Sequence, residues 1–353
     1  MQRCIDLAKN GLGTTYPNPL VGSVIVYNQS IIGEGWHYKA GEPHAEVNAI
    51  NNVADKDLLQ KATIYVSLEP CSHFGKTPPC ADLIIANGIK SVVIGSTDPN
   101  PKVSGNGIKK LIEAGCNVTV GILEDECVHL NKRFFTFHNK KRPYIILKWA
   151  QTKDGFIAPT ETSTCSENIT EQQPVWITNT YSRQRTHKLR AEEQAILVGT
   201  NTVLKDNPSL TTRDWKGNSP TRIVIDRKLK IPSEASILDG SVKTIILTEK
   251  PQQASGNTCY EVIDFQKNLA QQICKVLHTH NLQSLIIEGG AKTINTFIAE
   301  NLWDEAHIFT GSPIFGNGVK APNFSEEQKA NISLLSEESL QNDTLQIFKN
   351  KTT

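Results

Sequence analysis

This chain predicts two α/β domains in tandem, and three observations carry the expectation. Short apolar runs of strand length alternate with helix-length segments along nearly all of the 353 residues, the pattern that layers helices on a sheet. The alternation breaks at Phe134-Phe135-Thr136-Phe137-His138-Asn139-Lys140-Lys141-Arg142-Pro143 and restarts with an apolar run from Tyr144 to Leu147. A chain of this length is itself a prior for two domains. The domains are therefore set at 1–142 and 143–353, with the basic cluster 140–142 read as a solvated linker.

In the first domain, residues 5–8 suggest a short helix stopped by Asn10-Gly11. The apolar run after Pro17 and Pro19 is a buried strand, and residues 30–36 can pair with it across Asn28-Gln29. Helix 44–51, strand 63–67, helix 79–87, strand 91–95, helix 106–114, strand 116–120 and a last helix near 124–133 follow. Pro43 and Pro79 open two of these helices and Asn87-Gly88 closes one, the expected punctuation. The alternation predicts a three-layer α/β sandwich. In the second domain, strands are expected at 144–149, 195–198, 222–225, 243–247, 284–287 and 305–309, with helices at 181–191, 265–279 and 290–300.

Bulk properties exclude several classes. The formal net charge is +1, so no global field draws the chain to nucleic acid. No apolar run approaches the length of a membrane span. The first residues, Met1-Gln2-Arg3-Cys4-Ile5-Asp6, lack the apolar core of a secretory signal. The eight cysteines show no close spacing outside one pair, which favours free thiols in a reducing cytoplasm. The expected partners are a free small molecule and further copies of the chain as a homo-oligomer, with neither nucleic acid nor membrane.

One stretch and its answering loop hold the chemistry. Pro43-His44-Ala45-Glu46 is followed by Glu69-Pro70-Cys71-Ser72-His73-Phe74-Gly75-Lys76-Thr77-Pro78-Pro79-Cys80, reading His-x-Glu and then Pro-Cys-x8-Cys. One imidazole and two thiolates, from His44, Cys71 and Cys80, leave the fourth tetrahedral position of a zinc ion open, the mark of a catalytic site. Zinc lowers the pKa of bound water to about 7. Glu46 lies outside the ligand set and suits proton transfer from the water to the departing amine. Both helix N-termini favour thiolate over thiol. A lone His-x-Glu is usually nothing, two cysteines can be core thiols, and a structural zinc would want His73 as its fourth ligand. A structural site, however, has no use for Glu46.

Further motifs flank this centre. Pro17-Asn18-Pro19-x-Val21-Gly22, Gly35-Trp36-His37 and Thr97-Asp98-Pro99-Asn100-Pro101 stand in the order seen in the pyrimidine deaminase domain of the bifunctional riboflavin-biosynthesis deaminase/reductases. The resemblance implies a cytidine-deaminase-like fold and a free diaminohydroxypyrimidine substrate carrying phosphoribosylamine. Asn18 offers donors and acceptors to a pyrimidine edge, and His37 is carried over with it. His73 and Lys76 stand beside a zinc ligand, where they can hold phosphate or ribose, although Lys76 equally suits a solvated loop. Asp98 and Asn100 follow a strand end, where α/β ligand sites lie, in a sequence that is also strong turn chemistry.

The second domain resembles the reductase half of the same family, through Lys148-x-Ala150-x-Thr152-x-Asp154-Gly155, Trp176-Ile177-Thr178, Gly199-Thr200-Asn201-Thr202, Asp206-Asn207-Pro208-x-Leu210-Thr211-x-Arg213 and Glu288-Gly289-Gly290. It implies a dihydrofolate-reductase-like fold and NADPH as cofactor. The resemblance places Ala150, Trp176, Thr202, Asp206 and the turn Gly290, Ala291, Lys292, Thr293, Ile294, Asn295 and Thr296 on the cofactor. It places Lys148, Arg190, Leu210, Arg213 and Glu288 around the substrate. Lys148 and the two arginines suit an anionic phosphoribose. The Gly-Gly turn at a strand-to-helix junction can receive the cofactor diphosphate. Arg227 or Lys228, just after strand 222–225, can meet a ribose 2′-phosphate or be solvated turn charges. The segment 156–175 is long and rich in Thr, Ser and Glu, where the family's connection is usually shorter. The rival readings are a nucleoside or nucleic-acid deaminase with an appended nucleotide-binding domain and a binding module with a structural zinc.

Overall fold

The computed structural model describes residues 1–73, 78–100, 103–159 and 175–353. Two units emerge, Met1–Lys141 and Arg142–Thr353. In the first, helix α1 (Gln2–Ala8) precedes strands β1 (Gly22–Tyr27) and β2 (Ser30–Trp36). Asn28 and Gln29 both take positive φ, 46° and 64°, the backbone that lets a two-residue turn match the strand twist. Then come α2 (Ala45–Asn51), β3 (Thr63–Leu68), α3 (Cys80–Ala86), β4 (Ser91–Ser96), α4 (Asn106–Glu113), β5 (Asn117–Val120), α5 (Glu124–Leu130) and α6 (Lys132–Lys140). The sheet runs β2-β1-β3-β4-β5, with β1 antiparallel to both neighbours and β3, β4 and β5 parallel.

Alternation of side chains across the strands sorts them to two faces. Ile25, Ile64, Val66, Val92 and Ile94 pack against Ala49 and Ile50 of α2 and Ala81 and Ile84 of α3. Val24 and Tyr65 meet Cys4 and Leu7 of α1 on the other face. The result is three layers, as expected. Helix α2 lies so close to β2 that a Cβ on Gly35 would stand 2.7 Å from the Ala49 backbone nitrogen. That approach sets the height of His44 and Glu46 above the sheet.

The end of this unit differs from expectation. The last helix is two helices, broken at Asn131, and the second runs on through the domain-boundary stretch to Lys140, the first residue of the basic cluster read as a linker. Phe134 and Phe137 are buried on it, and burying two aromatic rings favours a packed helix over a solvated segment. Nor is Arg142 a solvated charge. It is buried and makes a paired contact with Asp304 at 2.6 and 2.8 Å.

The second unit is built on β6 (Tyr144–Gln151), β7 (Phe156–Pro159), α7 (Thr180–Glu192), β8 (Ala195–Gly199), α8 (Thr200–Asp206), β9 (Thr221–Ile225), β10 (Thr244–Thr248), β11 (Thr258–Val262), α9 (Leu269–Thr279), β12 (Ser284–Ile287), α10 (Ala291–Ala299), β13 (Glu305–Thr310), β14 (Gly318–Lys320), α11 (Glu326–Ala330), β15 (Ile332–Leu340) and β16 (Asp343–Asn350). Nine strands form one sheet, β11-β10-β9-β8-β12-β6-β13-β16-β15, and β14 pairs with β7 apart from it. The sheet is parallel from β11 to β13, and β16 and β15 close it antiparallel. Its faces are covered by α9 and α10 through Ile273, Leu277, Ile294 and Phe297, and by α7 and α8 through Leu189 and Val203.

Several elements were not expected from sequence. β15 is an edge strand whose middle is exposed, so no apolar alternation marks it. Helix α8 is a short two-turn element with one buried residue, Val203. Helix α9 starts at Leu269 rather than 265, because Asp264 and Gln272 exchange hydrogen bonds at 2.9 and 2.7 Å that fix the entry as a turn.

Candidate active sites in the two units

The deaminase-type centre forms where α2, α3 and the loop after β3 meet. His44 is the N-cap of α2 and Cys80 the first residue of α3. Cys71 reaches the same point from the loop after β3. The His44 Nδ1 lies 3.6 Å from the Cys71 Sγ and 3.3 Å from the Cys80 Sγ, and all three ligand atoms fall within 4.8 Å of one another. Tetrahedral zinc with Zn–S of about 2.3 Å and Zn–N of about 2.0 Å separates nitrogen from sulfur by about 3.5 Å. The donor set therefore fits zinc in both identity and spacing. The Cys80 thiol, His44 and the Cys80 N–H at 3.3 Å all favour the Cys71 thiolate and draw its pKa down.

Glu46 points into this centre from the first turn of α2 and is buried. Burial first, and then the Cys71 thiolate, raise its carboxyl to about 7. His37 is also buried, which lowers its pKa and keeps it neutral near pH 7. Its Nδ1 lies 3.1 Å from the Pro43 carbonyl, which can only accept, so Nδ1 carries the proton. Nε2 is then an acceptor, and the Asn18 amide donates to it at 3.0 Å. Asn18, His37 and the residue preceding His44 thus form one chain. Asp98, pushed up to about 6 mainly by burial, accepts the Asn100 N–H at 2.7 Å. His73 is exposed beside Cys71, and Lys76 lies outside the described residues. Two buried side chains that gather backbone groups in this unit escaped the sequence. Asn131 bonds both the N–H and the C=O of Leu20 at 2.8 Å, and Glu69 gathers four backbone N–H groups. A signal existed for Glu69, an acid at the end of an apolar strand.

In the second unit, Glu288 directly follows β12 and lies between Lys148 of β6 and Arg190 of α7. Its carboxylate accepts from the Lys148 Nζ at 2.7 Å and from the Arg190 Nη2 at 2.9 Å. Burial alone would raise the Glu288 carboxyl, but the two cations bring it down to about 2. Arg190 also donates to the Thr211 carbonyl at 3.2 Å, which joins it to the loop carrying Leu210 and Arg213. Leu210 is buried at φ 54°, a conformation that costs a bulky side chain energy and marks constrained sites. Arg213 is exposed, donates to the Ser209 hydroxyl and is held through its N–H by the His187 Nδ1 at 3.0 Å.

Thr202 on α8 faces the Gly290 turn, and a Cβ on Gly290 would meet its hydroxyl at 3.5 Å. A Cβ on Gly289 would stand 2.6 Å from the Val198 Cα, so only glycine lets β12 turn into α10 this close to β8. Ala291, Lys292, Thr293, Asn295 and Thr296 follow on the first turns of α10. Ile294 differs, because its side chain is buried in the core and its N–H bonds the Gly290 carbonyl at 3.3 Å. Asp206 is exposed at the end of α8, and Ala150 is partly buried near the end of β6. Trp176 is 63% exposed, with the Arg183 guanidinium 5.3 Å from its ring centre.

Residues 1–96 match the cytidine and deoxycytidylate deaminase zinc-binding region, and residues 143–346 match the RibD C-terminal domain. The riboflavin biosynthesis protein RibD of Aquifex aeolicus is 40% identical over 357 residues, spanning 99% of this chain and 97% of its own. The chain belongs to the RibD family. The RibD of Escherichia coli is 34% identical across 91% of this chain and 89% of its own length. A Thermotoga maritima crystal structure, titled a diaminohydroxyphosphoribosylaminopyrimidine deaminase/5-amino-6-(5-phosphoribosylamino)uracil reductase, superposes with a TM-score of 0.87 at 37% identity, covering 99% of this chain and 97% of that one. RibD of Acinetobacter baumannii gives 0.86 at 33% identity with the same coverage. As in other RibD proteins, a zinc-dependent deaminase domain is joined to a reductase domain with a dihydrofolate-reductase-like fold. Among the described residues no helix is long and apolar enough to cross a membrane.

Proposed function

We propose that the first unit hydrolytically deaminates 2,5-diamino-6-(5-phosphoribosylamino)pyrimidin-4-one, and that the second reduces the ribose of the resulting 5-amino-6-(5-phosphoribosylamino)uracil to ribityl with NADPH. The observation that carries the first step is the convergence of His44, Cys71 and Cys80 at tetrahedral spacing around the buried Glu46. Zinc, when bound, supplies a water acidified to near neutrality. Glu46 is placed to take a proton from the attacking water and to hand one to the departing amine, so that the ring carbon gains an oxygen and the amino group leaves as ammonia. A carboxyl held near neutrality is matched to both halves of that exchange. Asn18, fixed by His37, meets the pyrimidine edge, while His73, Lys76, Asp98 and Asn100 hold the ring and phosphoribose.

In the second unit NADPH supplies the hydride. Ala150, Trp176, Thr202, Asp206 and the Gly290–Thr296 turn line its position, the close glycines letting the diphosphate reach the start of α10. Lys148 and Arg190, held side by side by Glu288, present cations to the phosphoribose with Leu210 and Arg213. The reading extends to a cytoplasmic homo-oligomer acting on a free small molecule, with neither nucleic acid nor membrane as partner, and sedimentation of the purified protein measures the association. The deciding experiment is turnover of the phosphoribosylamino-pyrimidine by zinc-loaded protein. Ammonia is released without NADPH, and NADPH is consumed only after it. Absence of ammonia release refutes the substrate assignment.

A further inference from the structure

We propose that Glu69 is a positioning residue for deamination, its carboxylate holding the loop of Asp98 and Asn100 against the strand end that leads to Cys71. Glu69 directly follows β3 and is buried. Its Oε2 accepts the N–H of Asp98 at 3.2 Å and of Gly105 at 3.0 Å. Its Oε1 accepts those of Gly107 at 2.9 Å and Ile108 at 3.4 Å. One side chain thus ties Asp98 to Gly105 and to the start of α4. The Glu69 N–H donates to the Ser96 carbonyl at 2.9 Å, which pins its backbone to β4. Asp98 passes the constraint on through its bond to the Asn100 N–H at 2.7 Å.

The chemistry explains why the residue is an acid. Four converging N–H donors need an acceptor-only group with two oxygens, and a carboxylate is the side chain that provides it. The positive end of α4 adds to the stabilisation of its charge. A glutamine would turn an NH2 toward two of the four donors. Gly107 allows the arrangement, since a Cβ there would stand 2.0 Å from the Pro70 carbonyl oxygen. The residues Glu69 orders are those read as substrate contacts, and they sit at the same strand ends as the zinc ligand. The inference rests on that reading of Asp98 and Asn100.

Zinc-loaded full-length protein tests it in four forms: unaltered, Asp98→Ala, Glu69→Gln and the double variant. Glu69→Gln is expected to raise the deaminase KM about ten- to a hundredfold, the scale of lost hydrogen bonds to a charged group. Its kcat and its zinc content stay near the unaltered values. Because Glu69 acts through Asp98, the same change on the Asp98→Ala background adds no more than about twofold. A purely structural role would lower stability without this split between KM and kcat or this failure of the effects to multiply. If Asp98→Ala leaves KM unchanged, the substrate reading of that loop fails. If Asp98→Ala raises KM but Glu69→Gln does not, or the two effects multiply, the positioning role is overturned. Should Glu69→Gln lose its zinc, Glu69→Asp, which keeps both acceptor oxygens one methylene back, carries the test. It is expected to retain zinc and show the raised KM, and an unaltered KM there overturns the proposal.

Discussion

Replacing Glu288 with Gln removes the negative charge that pairs with both Lys148 and Arg190 while keeping the side chain's shape. In the folded chain those two cations bring the Glu288 carboxyl from its ordinary 4.5 down to about 2. That difference corresponds to about 3 kcal/mol of folding stability at pH 7. The folded value is the lower one, so the stabilisation is complete above about pH 4.5 and is lost as pH falls through about 2. At pH 3 roughly half of it remains. A typical domain has about 5–15 kcal/mol in all, so Glu288→Gln should shift the unfolding of the second unit visibly at neutral pH. Urea titration followed by tryptophan emission reads mainly that unit, which holds Trp149, Trp176, Trp215 and Trp303 against Trp36 in the first. The gap between unaltered and variant protein should narrow by about half between pH 7 and pH 3. An equal gap at both values would refute the argument, since the loss would then come from packing and not from charge.

Three further outcomes are expected. Cys80→Ala should reduce metal content from one zinc per chain to near none, and full occupancy in elemental analysis would remove Cys80 from the ligand set. Glu46→Gln should slow deamination by at least about a hundred- to ten-thousandfold, the usual worth of proton transfer, while reduction of the already deaminated substrate continues, and equal loss of both activities would show that the two centres are not independent. Arg227 is ion-paired with Glu249 at 2.6 Å and half exposed beside Phe265, and Arg227→Ala should narrow the preference for NADPH over NADH about ten- to a hundredfold if its guanidinium reads the 2′-phosphate. Steady-state kinetics with both cofactors decide that point, and an unchanged ratio places the contact elsewhere.

The convergence of His44, Cys71 and Cys80 was legible in the sequence because its parts are marked locally. His44 and Cys80 each sit at a helix start announced by a proline, and Cys71 in the loop just after an apolar strand. The strand and helix alternation was equally plain wherever an element has a buried face, as in β1, β3, β4, β6, β8 and β12. Where burial does not write a pattern, the sequence was silent. The exposed edge strand β15 is defined by its pairing with β16, and the basic run 140–142 reads as a solvated linker although α6, which buries Phe134 and Phe137, extends into it.

Tertiary structure alone decided which charges are partnered. Arg142 looks like part of a solvated basic run, yet it finds Asp304 across 162 positions. Lys148 and Glu288 meet across 140 positions and Arg190 and Glu288 across 98. Glu69 finds its four donors only once β4 and α4 are laid beside β3. Apolar periodicity is a property of neighbours along the chain, and a single sequence displays it. The partner of a buried charge is set by which strand ends the sheet order brings together, and that order is fixed only when the chain has folded.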